Sequence, residues 1–106
     1  MKNLENKNPG GNNGWTPLHS AAFHGRLNIC EFIMKTVENK NPGGLDTMGW
    51  TPLHYAAQKG HLDVCKLFLK HIQEKMPKTF AGLTPAAVAR SHGHFKVESL
   101  FKKFNY

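Results

Sequence analysis

Gly14-Trp15-Thr16-Pro17-Leu18-His19 returns as Gly49-Trp50-Thr51-Pro52-Leu53-His54, and a weaker echo follows at Gly82-Leu83-Thr84-Pro85-Ala86. The two steps are 35 and 33 residues. Self-similarity at that period means one structural unit stacked on copies of itself. In such an array each unit hides its apolar faces on its neighbours, so 106 residues suffice for a stable single domain. Stacked units build a surface, and nothing in the recurring phrase looks like a reaction centre.

The second unit shows the elements most clearly. Thr51-Pro52 reads as a helix start: a hydroxyl to cap free N–H groups, then a ring preset to the helical φ. Leu53, Ala56 and Ala57 share one face of the helix that follows, and Gly60 is placed to stop it in the left-handed conformation. A second helix begins near 61–63, with Asp63 at the positive end of its dipole. Val64, Leu67, Phe68 and Ile72 then form one apolar stripe, while Lys66, Lys70 and Gln73 face away. Each unit is therefore expected to be an αα-hairpin, and the whole an all-α solenoid of stacked helix–turn–helix repeats with turn-rich connecting loops. The paired alanines, Ala21-Ala22 and Ala56-Ala57, let neighbouring helices approach closely.

Gly-x-Thr-Pro-Leu-His-x-Ala-Ala-x-x-Gly-His-x-x-Val-x-x-Leu resembles the ankyrin repeat, and the second unit matches it almost throughout. The first unit matches with Arg26 in place of the second-helix His and Ile29 in place of Val. The third keeps Thr84-Pro85, Ala89, Gly93-His94 and Val97, but has Ala86-Ala87 for the Leu-His pair and Arg90 where the others have Ala22 and Ala57. A long cation there, with Lys102 and Lys103, suits a terminal unit with a wet outer face. The expected boundaries are 12–45, 46–78 and 79–106. Residues 5–11, Glu-Asn-Lys-Asn-Pro-Gly-Gly, are identical to residues 38–44. Residues 1–11 are accordingly expected to be the tail of a preceding unit in a longer array, or a stub covering the first helix pair.

A net charge of +7 is concentrated after residue 58, where nine Lys or Arg face only Asp63, Glu74 and Glu98. Such a half attracts acidic surfaces or nucleic acid, or else lines the solvated faces of helices. No apolar stretch approaches membrane-spanning length and the first residues lack a signal core, so a soluble chain is expected. Cys30 and Cys65 sit at equivalent places, 35 residues apart. Packed helices lie about 8–10 Å apart and bridged Cα atoms within about 7 Å, so two buried thiols in a reducing, cytoplasmic or nuclear compartment are expected.

Seven histidines raise the question of a metal. The resemblance assigns His19 and His54 to hydrogen bonding between neighbouring loops, and His61 and His94 to second-helix starts. His24, His71 and His92 remain, too few with no cysteine or carboxylate partner in view. No metal, cofactor or catalytic residue is expected: both thiols fall on the apolar stripe, and the Gly-Gly pairs lack a phosphate-loop context.

What remains is the surface. The resemblance implies that a partner lies against the loop tips and the exposed, concave side of the first helices. The matching positions are Asn12, Asn13, Trp15, Phe23 and His24; then Thr47, Met48, Trp50, Gln58 and Lys59; then Phe80, Leu83, Ser91 and His92. Two Trp, two Phe, a Met and a Leu are interface-like content. Trp15 and Trp50 suit packing on one another and on the loop stems equally well, whereas Phe23 and Met48 have no evident core role. The leading expectation is a monomeric, non-enzymatic module that binds a protein or peptide through Trp15, Phe23, His24, Met48, Trp50, Gln58, Lys59, Phe80 and Leu83. Nucleic-acid or acidic-surface binding by the basic half is the alternative, and a structural spacer the third.

Overall fold

The computed structural model describes residues 15–37, 40, 48–71 and 78–104, and all regular structure among them is helical. Six helices follow in order: α1 (Pro17–Phe23), α2 (Leu27–Met34), α3 (Pro52–Lys59), α4 (Leu62–His71), α5 (Pro85–Ser91) and α6 (Phe95–Lys103). They form three hairpins. α1, α3 and α5 pack side by side as one layer, and α2, α4 and α6 as the second. The all-α solenoid read from the repeat is what the chain adopts. Residues 1–11, Asn12, Asn13, Thr47, Ile72 and Gln73 lie outside the described residues, as do the expectations that rest on them.

The three first-layer helices start the same way. Thr16, Thr51 and Thr84 are extended N-caps whose hydroxyls accept the N–H three residues on, with proline at the first helical position. In α1 and α3 that third residue is His19 or His54, and its ring Nδ1 accepts the cap's own N–H at 3.1 and 3.2 Å. A histidine thus closes a capping box that glutamate usually closes. Gly60 ends α3 at φ 75°.

Close packing of the first layer follows from small side chains. Ala21, Ala22, Ala56, Ala57 and Ala89 are buried, Ala22, Ala56, Ala57 and Ala89 without any exposed surface. Val64, Leu67 and Phe68 are buried as the apolar stripe requires, and Cys65 and Leu69 join them, so α4 is covered on more than one side. Lys66, Lys70 and Arg90 are exposed. Cys30 and Cys65 are buried free thiols. Burial, helped by Glu31, pushes Cys30 up to about 11, and burial raises Cys65 as well.

Two residues depart from their alignment. Ile29 is 46 % exposed, although its counterparts Val64 and Val97 are buried. Val97 borders the α4–α6 seam beside Gly60 and Leu62, facing the preceding unit. α2 packs on α1 and α4, and no described helix lies on its opposite side. Phe32, at the place of Leu67, is 69 % exposed for the same reason.

Candidate functional site

The rim begins with the two buried histidines, because they fix where the loop tips stand. With Nδ1 accepting a backbone N–H, each ring is a neutral imidazole carrying its proton on Nε2. His19 Nε2–H donates to the Trp50 carbonyl at 2.9 Å, and His54 Nε2–H to the Leu83 carbonyl at 2.8 Å. The first unit therefore holds the loop of the second, and the second holds that of the third. Burial drives His54 down to about 4 against a smaller upward pull from the Leu83 carbonyl. The inter-loop role implied for both residues is what the geometry gives. His61 adds a bridge missed in the sequence, donating from Nε2–H to the Phe23 carbonyl at 3.0 Å.

The loop leading into each first helix is then shaped by local constraints. Met48 and Gly49 are consecutive left-handed residues, φ 57° and 80°, and the Met48 carbonyl accepts the Phe80 N–H at 3.0 Å. Gly49 could not carry a side chain, since a Cβ there would meet the Phe80 ring at 2.6 Å. Thr79, buried, turns the third loop: its hydroxyl accepts the Leu83 N–H and its N–H donates to the Leu83 carbonyl. At the tips of these loops Met48, Phe80 and Leu83 are 63 %, 64 % and 39 % exposed.

Beside the tips runs a ladder of rings. Trp15 stacks on His19 with centroids 5.3 Å apart, and meets Phe23 at 6.1 Å and Tyr55 at 5.0 Å edge-on. Tyr55 in turn lies 5.1 Å from Trp50 and 5.8 Å from Phe23. The two tryptophans are thus bridged by Tyr55, a residue that sequence reasoning passed over. Its counterparts are Ser20 and Val88, so the repeat carries no signal at that position; only its place on the outer side of the first helix could have marked it. Burial raises the Tyr55 phenol.

Phe23 lies outside the buried core, yet it is half-buried against Trp15 and Tyr55, with Lys59 Nζ 4.6 Å over its ring. Trp15, Trp50 and Gln58 are half-buried, while His24 and Lys59 are exposed. His24 lies edge-on to Phe23. Of the third unit's candidates, Ser91 and His92 are exposed, and both side chains turn back to the Val88 carbonyl of their own helix. Phe23, Trp15, Tyr55 and Trp50 therefore form one continuous group, with Lys59 over the Phe23 ring. Met48, Phe80 and Leu83 form a second group on the adjacent loops.

Among the described residues no group of three His, Cys, Asp or Glu side chains could hold a metal ion, and no helix is long and apolar enough to cross a membrane. A family model described as ankyrin repeats (3 copies) matches residues 33–105, and a second, ankyrin repeat, matches residues 13–42. No curated protein matches the chain.

Proposed function

The chain belongs to the ankyrin repeat family, and from that premise we propose that it binds a protein through the ring ladder and the neighbouring loop tips. Ankyrin repeats are in general protein–protein interaction modules and typically non-catalytic. Repeats are taken at 12–45, 46–78 and 79–106.

One observation carries the reading: Met48. A residue with a Cβ resists φ near +57°, at a cost of roughly 1–2 kcal/mol. Glycine or asparagine would relieve it. The methionine side chain offers little packing in return, being 63 % exposed. An adaptable apolar side chain held out on a strained turn, beside exposed Phe80 and Leu83, is what an interface core uses and a solvated loop does not. The half-buried ladder supplies a rigid wall next to it, with amphipathic rings already ordered before a partner arrives.

The test separates tip from ladder. Proteins captured from lysate by the native chain should be lost with Met48→Glu/Phe80→Glu, a pair whose side chains are mostly solvated and whose thermal melt should stay within a few degrees. Anchors of this kind contribute about 2 kcal/mol or more each. Capture should persist when salt is raised severalfold, unlike phosphate-driven binding. Recovery of the same proteins by the native chain and by the loop-tip variant would remove the loop tips from the interface.

A further inference from the structure

A second surface lies on the other layer, away from the rim. Between α4 and α6 runs a cleft of about 400 Å³. Its apolar lining comes from Leu62 and Leu100, half-buried, and from Phe95, 64 % exposed. Lys66 reaches it from α4, and Lys96 and Lys103 from α6; among the described residues no acidic side chain lines it. Glu98, the acid of α6, is instead tied to Lys102 at 3.4 Å. None of the three cleft lysines pairs with an acid among the described residues.

We propose that this cleft is a docking groove for an acidic amphipathic peptide segment of a partner protein, apolar side chains entering between the helices and carboxylates meeting the three lysines. Charge complementarity selects the occupant. A second copy of a chain carrying +7 is repelled. Nucleic acid makes its contacts through phosphates and has no use for an aliphatic floor. A membrane surface suits a broad bulging apolar face, whereas here Phe95 alone stands out and Leu62 and Leu100 are half-buried. Helix-in-groove recognition needs a trough with apolar anchor points and charged edges, and the α4–α6 seam has both. The rim of Trp15, Tyr55 and Trp50 is formed by the loops and the first layer, so the two surfaces can be occupied independently.

The probe is a fluorescein-labelled synthetic helix of about 15 residues with leucines at i, i+4 and i+7 and glutamates between them. Fluorescence anisotropy with the whole chain at low salt should give a dissociation constant of roughly tens of micromolar, weakened about tenfold or more by Lys66→Glu/Lys96→Glu. Phe95→Ala should weaken it severalfold, and Trp15→Ala/Trp50→Ala should leave it unchanged. The lysines are exposed, so far-ultraviolet circular dichroism should match the native chain. No binding by about 1 mM peptide, equal binding of a glutamine-for-glutamate peptide, or loss on changing the tryptophans would each overturn the proposal. So would tighter binding of single-stranded DNA or of phosphatidylserine vesicles that is lost with the same lysines.

Discussion

Gly60 and Gly93 have nearly the same backbone, φ 75° and 78°, yet different surroundings. A Cβ on Gly60 would sit 2.6 Å from Nδ1 of the His94 ring, whereas one on Gly93 meets nothing within 4 Å. Both substitutions incur the left-handed penalty, and only Gly60→Ala adds a collision with the next unit. Denaturant unfolding should therefore find Gly60→Ala less stable than Gly93→Ala by about 1–3 kcal/mol. Gly25 stands to His61 as Gly60 does to His94, which makes this glycine–ring contact a repeated device. His54 gives the second residue-scale prediction. Its folded pKa of about 4 lies below the ordinary 6.5, so on acidification the unfolded chain takes up the proton first. Its contribution is complete above pH 6.5 and is lost as pH falls from there to about 4, amounting to about 3 kcal/mol. Urea titrations across that range should show His54→Gln, which can still accept from Thr51 and donate to Leu83, falling less steeply than the native chain.

At the scale of elements, the contrast between Ala57 and Arg90 is informative. They occupy equivalent places at the ends of α3 and α5, and Ala57 has no exposed surface while Arg90 is exposed. Ala57→Leu should lower stability by about 1–3 kcal/mol through overpacking, and Arg90→Leu should change it by less than about 0.5 kcal/mol. Thermal melts of the two variants decide it. This is also where the sequence was most legible. Thr-Pro starts and the Gly60 stop act through one or two residues, so α1, α3 and α5 could be read directly, and the inward alanines identified their mutual contact. The exposure of Ile29 could not be read, because a valine-like residue at that position is buried only when a helix lies on its preceding side. The ring ladder was half legible: repeat logic exposes Trp15 and Trp50, which share a position, but is blind to Tyr55, which has no aromatic counterpart. The packing of Phe23 was hidden in part for the same reason, since Tyr55 and Lys59 reach it from the next unit, beside Trp15 of its own.

Across the whole molecule, the two junctions are unequal. The first is closed by the His19–Trp50 and His61–Phe23 hydrogen bonds and by the Trp15–Tyr55 ring contact. The second has His54–Leu83 and Phe80–Met48, and no aromatic ladder crosses it among the described residues. In the third unit Ala86 replaces the buried leucine and Ala87 cannot close a capping box. A stack of nearest-neighbour contacts frays where its terms are weakest. Native-state hydrogen exchange should give the slowest amides in α3, which is covered on both sides, and measurably faster ones in α5 and α6. Uniform protection across the six helices would contradict this ordering.

The histidine clamps carry one more consequence. His19 and its acceptor are separated by 31 residues, His54 and its acceptor by 29, and the bonds have almost the same length. The ring grips the far end of the connection and is indifferent to how much chain is spent reaching it. Variation in length between one hairpin and the next is thus absorbed without disturbing the helices, and a stretch of foreign residues could be spliced in there while the scaffold kept its register.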